Sequence, residues 1–204
     1  GAPLRLIAEE PRDRVGIGRI TPSGDGFECV VGFTTSKPTS ELSAHLMGHD
    51  ALRECGRSER ALMHAHPTYV VALTHLRAMD GLEVSVDMWR TNSESLLAFP
   101  RGVYVLPWMV CGTDDIGRAT AVALKQSNAV IWEFHGVFAS GRDIDGVLEL
   151  TESVEAAAQI LVLAGETGRG GITDEGLRAL CARFELVVPA SSAIVGLTAR
   201  SPRT

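Results

Sequence analysis

Ala61-Leu62-Met63-His64-Ala65-His66-Pro67 is a short apolar run that ends in two histidines and a proline. In an extended strand, residues i and i+2 project from the same face with Cα atoms roughly 6.6 Å apart, so His64 and His66 can share one cation. Pro67 cannot donate to a sheet ladder but suits the first turn of a helix. The stretch therefore reads as a buried strand that stops at a histidine pair and feeds a helix. Residues 129–134, Ala-Val-Ile-Trp-Glu-Phe, repeat the layout, running into His135-Gly136, where glycine permits a turn. Strands alternating with helices predict an α/β fold, and sites in such folds lie where strands stop. With 6 His in 204 residues, chance alone yields about 0.2 His-x-His pairs, so the motif takes its weight from this context. At this level, metal ligation by His64, His66 and His135 competes with a structural role for the same residues.

Composition frames the site. At 204 residues and 45% hydrophobic, the chain suffices for one full core and is short for two, which predicts a single domain over residues 1–204. The longest apolar stretches fall far short of the ~20 residues needed to span a bilayer, and the start lacks a basic segment followed by an apolar one. A cytoplasmic protein without a membrane partner is expected. Cys29, Cys55, Cys111 and Cys181 are widely spaced with no C-x-x-C pair, which argues against a disulfide framework or a zinc knuckle. A net charge of −6 without a basic cluster argues against nucleic acid, whose phosphates need Lys/Arg patches.

Helical and extended signals alternate along the chain. Residues 26–33 read as a strand and residues 34–38 as a loop. A helix follows, capped by Thr39 or Ser40, with Glu41 in its first turn and Leu42, Leu46 and Leu52 as its apolar stripe up to Gly56. The next helix starts at Pro67 and stops near Gly81. Residues 91–99 form a weaker helix carrying Glu94, residues 101–110 read as extended but interrupted by Pro107, and Thr113 or Asp114 caps a helix through Leu124. The spacing of Val147, Leu150, Val154, Ala158 and Leu161 predicts a long helix from Asp143 to Ala164. Residues 165–171 are a Gly-rich break that follows a helix and lacks a Lys-Ser/Thr ending, so they read as a loop and not a phosphate cradle. Asp174 to Phe184 is a last short helix, and residues 187–195 an extended tail.

The order Pro38-Thr39-Ser40-Glu41-Leu42-Ser43-Ala44-His45, Met63-His64-Ala65-His66, Glu94, Leu106-Pro107-Trp108-Met109 and Phe134-His135-Gly136 resembles the class II (zinc) aldolase/adducin family. The likeness extends over nearly the whole chain, through Asp174-Glu175-Gly176-Leu177 and Pro189-Ala190-Ser191-Ser192-Ala193. It implies a three-layer α/β/α sandwich around a mixed sheet, assembled as a homotetramer with sites at subunit contacts. It also implies reversible aldol cleavage of a phosphorylated ketose, L-rhamnulose 1-phosphate, to dihydroxyacetone phosphate and L-lactaldehyde. Such cleavage leaves an enediolate on the ketose half, a developing charge that a dication with open positions stabilises. Three imidazoles suit catalytic Zn2+, one per subunit, with Co2+ or Mn2+ as substitutes.

By the same resemblance, His64, His66 and His135 hold the metal and Glu41 is the acid/base carboxylate. Glu94 is a second carboxylate, acting across a subunit boundary near the aldehyde-side oxygen, and Thr39 and Ser40 help bind the substrate phosphate. Without the resemblance, Glu41 reads as a helix N-terminal charge worth ~0.5 kcal/mol, Glu94 as a solvated helix face, and Thr39 and Ser40 as caps. His45 and His49, spaced i, i+4, are expected to pack beside the site, and Trp108 to serve as core or subunit contact. The family opens with a further segment whose Gly-rich turns bind much of the phosphate, and no match to it is found here. The alternatives are an adducin-like binding module that keeps the fold without catalysis, or an aldolase or epimerase acting on another phosphorylated sugar.

Overall fold

His64 and Ala65 end an edge strand, with His66 just beyond it, and its partner is a strand that sequence periodicity does not reveal. The computed structural model describes residues 39–165 and 170–188, and the backbone of residues 17–20 and 27–31. Strand β1 (Ile17–Ile20) pairs antiparallel with β2 (Phe27–Val31). Helix α1 (Leu42–Glu54) follows, then β3 (Ala61–Ala65), α2 (Thr68–Leu76), α3 (Gly81–Thr91), α4 (Ser93–Ala98) and β4 (Val103–Leu106). The chain continues through α5 (Asp114–Leu124), β5 (Ala129–Trp132), β6 (Gly136–Gly141), α6 (Ile144–Ala164) and α7 (Asp174–Phe184).

A four-stranded sheet runs in the order β3-β6-β5-β4. β3 and β5 are each antiparallel to β6, and β4 is parallel to β5, so the sheet is mixed. Alternation along the strands sends side chains to two separate cores. On one face Val103, Ile131, Val137 and Ala139 pack with Val70 and Leu73 of α2, Val84 and Met88 of α3, Val147 and Val154 of α6, and Leu177 of α7. On the other, Leu106, Val130, Trp132 and Phe138 pack with Ala44 and Leu52 of α1 and Ile116 and Leu124 of α5. This is an α/β/α sandwich. Because both faces are covered, β5 and β6 are buried at every residue, which is why β5 reads as an unbroken apolar run.

Several boundaries differ from the sequence reading for local reasons. The helix expected to end near Gly81 is two helices. Arg77 is extended after Leu76, and the Asp80 carboxylate accepts from the N–H groups of Leu82 and Glu83 at 2.9 and 3.0 Å, so Gly81 opens α3. The helix expected over residues 91–99 begins at Ser93, where the Asn92 side chain accepts from Ser95 N–H at 2.8 Å. Extended structure over residues 101–110 shortens to Val103–Leu106, since Pro107 cannot continue the ladder. The strand expected to reach Phe134 stops at Trp132, and β6 from Gly136 to Gly141 is an addition to the reading. Thr113, Asp143 and Thr173 cap α5, α6 and α7 through their side chains. The loop expected over 34–38 and the tail beyond 188 lie outside the described residues. Among the described residues no helix is long and apolar enough to cross a membrane.

Candidate metal centre

His64 stands near the end of β3 on the face shared with Leu62, with its ring against Trp132 (centroids 4.7 Å apart) and Phe138 (5.8 Å). Its Nδ1 lies 3.0 Å from the carbonyl oxygen of Val137 on β6. His66 falls one residue beyond the strand, and Gly136 makes room for it. A Cβ at Gly136 would come 2.3 Å from the Ala65 carbonyl oxygen and 3.0 Å from the His66 ring. His135 lies not on a strand but in the tight turn joining β5 to β6, where its N–H donates to the Trp132 carbonyl at 3.1 Å. Phe134, just before it, has the left-handed φ of 58° that L side chains rarely adopt.

These elements bring the three histidines together. Their ring centroids lie 4.8, 4.9 and 5.0 Å apart, with His64 edge-on to the other two and His66 stacked on His135. One ring nitrogen from each lies within 4.8 Å of the others, and Nε2 of His66 is 3.0 Å from Nε2 of His64. Two nitrogens bound to one Zn2+ at ~2.1 Å each lie at most ~4.2 Å apart, so small side-chain adjustments close the set around an ion. Burial, with His66, His135 and His45 close by, pushes the His64 imidazole down to about 3, against the opposing hydrogen bond to Val137. Burial and His135 lower His66 as well, while the Glu41 carboxylate opposes. At neutral pH His64 and His66 are thus in the neutral form that ligates metal. The residues fit a cation bound by three imidazoles.

Glu41 is 4% exposed, a costly place for a carboxylate unless its oxygens are used. One oxygen accepts from the Ser40 hydroxyl and the other from the Gly112 N–H, both at 3.1 Å. Gly112, at φ +71°, lets the 107–113 loop close on α1; a Cβ there would meet the Ser40 carbonyl at 3.3 Å. Glu41 occupies the N-cap place of α1 without a side-chain cap bond, so neither Thr39 nor Ser40 caps the helix as expected. Both are exposed, and Thr39 Oγ1 accepts from the Glu41 N–H at 3.3 Å. Glu41 stands outside the set of nitrogens that converge, but its charge reaches both His66 and His45.

Glu94 is exposed in the first turn of α4, a helix that packs with α3, α6 and α7 in the layer opposite α1. It is not brought to the histidines within this chain. His45 packs beside the site as expected, its ring 4.8 Å from Phe138, and burial, His49 and the opposing Glu41 leave its pKa lowered. His49 and His75 are exposed, and Trp108 is 61% exposed, which removes the core alternative for it. Sequence reasoning missed Trp132 as the floor under His64 and His135, and Gly136 as the close approach over His66. It also missed two hydrogen-bonding side chains, Thr74 and Glu155, that hold the segments around the ligands.

A mixed sheet between helical layers, with three imidazoles at one end and a buried carboxylate nearby, defines an α/β protein whose histidine cluster could hold a metal ion. The chain belongs to the family described as Class II Aldolase and Adducin N-terminal domain, which matches residues 19–162. It is 37% identical over 195 residues to the rhamnulose-1-phosphate aldolase of Enterobacter sp. (strain 638), covering 94% of this chain and 70% of that protein. The rhamnulose-1-phosphate aldolase of Escherichia coli O1:K1 / APEC is 38% identical over 195 residues, with 94% and 71% covered. Among solved structures, a sugar-phosphate aldolase from Thermotoga maritima superposes with a TM-score of 0.62 at 32% identity, covering 70% of this chain and 60% of that one.

Proposed function

We propose that this chain is a class II aldolase that cleaves L-rhamnulose 1-phosphate to dihydroxyacetone phosphate and L-lactaldehyde, with Zn2+ on His64, His66 and His135. The observation that carries the reading is the convergence of three imidazoles, one of them oriented by a backbone carbonyl, beside a buried carboxylate. A scaffold has no physical need for such a polar cluster at the end of a sheet. Likeness to rhamnulose-1-phosphate aldolases over 94% of the chain supports the substrate and disfavours the adducin-like binding module. When bound, the dication supplies charge stabilisation for the ketose oxygens as the carbon-carbon bond breaks.

The residues divide the remaining work. Cleavage takes the proton from the hydroxyl that becomes the aldehyde, and the electron pair of the broken bond passes to the ketose half. That half then needs a proton at the carbon where the bond broke. We assign that exchange to Glu41, whose buried carboxylate is held by Ser40 and Gly112. Glu94, exposed and away from the histidines of its own chain, serves a neighbouring subunit on the aldehyde side, which is the sense in which a cytoplasmic homotetramer has its sites at subunit contacts. Thr39, exposed just ahead of α1, offers its hydroxyl proton to the phosphate, and Ser40 joins it by turning its hydroxyl from Glu41 to the phosphate. The test is release of dihydroxyacetone phosphate from L-rhamnulose 1-phosphate by the purified 204-residue chain, with and without a chelator. Chelator-sensitive release is expected; metal retained with no cleavage of this sugar would overturn the substrate assignment.

A further inference from the structure

Helix α2 is tied at both ends to the segments that carry two of the ligands. At its start, directly after His66-Pro67, the N–H groups of Tyr69 and Val70 donate to the carboxylate of Glu155 on α6, at 3.0 and 2.9 Å. Pro67 holds the N-cap place and makes no side-chain cap bond, so Glu155 supplies the acceptor from 86 positions away. Near its other end, the Thr74 hydroxyl donates to the Val71 carbonyl at 2.7 Å and accepts from the Phe134 N–H at 3.1 Å. Thr74 is 3% exposed, so both roles of its hydroxyl are spent inside the protein. His75 adds a second hold from the same helix, its ring 4.9 Å from that of Phe134.

Phe134 needs such a hold. Its left-handed backbone is a strained conformation for a bulky L side chain, which persists only where the surroundings impose it. That residue aims His135, the next in the chain. The same helix therefore anchors the segment ending in His66 and the turn bearing His135, whose rings stack 5.0 Å apart at 20°.

We infer that α2 is a bracket setting the spacing of His66 and His135, with Thr74 and Glu155 as positioning residues for the metal that touch neither metal nor substrate. The inference rests on the metal-site reading above. A merely structural role is the competing account, since Val70 and Leu73 of α2 also lie in the core. The two accounts separate in Co2+ titrations of the full chain, read by the visible absorption of the bound ion and set beside thermal melts of the metal-free protein. Thr74→Val keeps the shape and removes the acceptor for Phe134; it is expected to lower Co2+ affinity about tenfold or more and to change the absorption bands. Thr74→Ser restores both, and Glu155→Ala repeats the loss. Wild-type affinity and bands in Thr74→Val, with only the melting temperature lowered, would overturn the bracket. Should Thr74→Val fail to fold, unchanged Co2+ affinity in Glu155→Ala overturns it equally. If His135→Ala takes up Co2+ as the wild type does, the metal-site reading falls and the bracket falls with it.

Discussion

Nδ1 of His64 and the carbonyl oxygen of Val137 lie 3.0 Å apart across the β3–β6 ladder, where Ala65 is the register partner of Val137. A carbonyl only accepts, so the imidazole proton sits on Nδ1 and the bare Nε2 turns toward His66. One backbone group thus sets both tautomer and orientation, the arrangement expected of a metal ligand's outer partner. Replacing His64 by Ala removes the imidazole whose orientation this carbonyl fixes. The expected result is loss of stoichiometric Zn2+ after dialysis, measured by elemental analysis, and full retention would show that the three histidines do not share one ion.

Glu41→Gln separates the carboxylate's proton chemistry from the metal. The amide keeps the shape and one acceptor but cannot take a proton. Turnover is expected to fall by about 10²–10⁴-fold with Zn2+ content unchanged. The measurement is dihydroxyacetone phosphate release at saturating substrate, and a turnover within a few-fold of wild type would remove Glu41 from the acid/base role.

Gly136→Ala forces a methyl to within 2.3 Å of the Ala65 carbonyl and 3.0 Å of the His66 ring. Backbone must yield, since no flexible side-chain end is available to move away from the Ala65 oxygen. We expect a loss of about 1–3 kcal/mol in urea unfolding, together with weaker Zn2+ binding in chelator competition. Wild-type stability would mean that the turn has slack at this point.

The opposite end of the sheet makes an acid-stability prediction. Glu59 accepts from Arg57 at 3.0 Å and from Asn128 at 2.8 Å, with a side chain 12% exposed. Burial works to raise its pKa, but the hydrogen bonds from Arg57, Asn128 and its own backbone N–H, with the Arg57 charge, hold it down to about 2 from 4.5. The unfolded chain binds the proton first as pH falls, so this contribution is intact above about 4.5 and lost on the way to about 2. A shift of this size corresponds to about 3 kcal/mol. Glu59→Gln should flatten the acid limb of unfolding free energy against pH in that window, and an unchanged limb would assign acid lability to other groups.

Much of the frame was readable in advance because it rests on short-range chemistry. The spacing of Val147 to Leu161 and the cap at Thr113 mark α6 and α5 from nearby residues alone. The histidines were legible for a different reason: metal ligation needs these residue types, and two fall within three positions. Strand β6 was not, because Gly-Val-Phe-Ala-Ser-Gly carries little β-forming signal and owes its conformation to pairing on both edges. Helix α3 was hidden because Gly81 looks like a stop until the Asp80 carboxylate is seen facing it. Thr74 and Glu155 could not be found by pattern, since their partners lie 60 and 86 positions away and are backbone N–H groups that every residue possesses.

The placement of β6 between β3 and β5 bears on how the molecule assembles. An unfolded chain offers a cation only the His64/His66 pair, because His135 arrives roughly 70 positions later and comes within reach only when β6 has zipped onto β3. That pairing is the slow, non-local step of a mixed sheet, while the helices form on their own much faster. On the proposed metal site, tight uptake of the ion would therefore mark the moment the sheet closes. A cation present during refolding would then latch the β3–β6 pairing and slow its reopening.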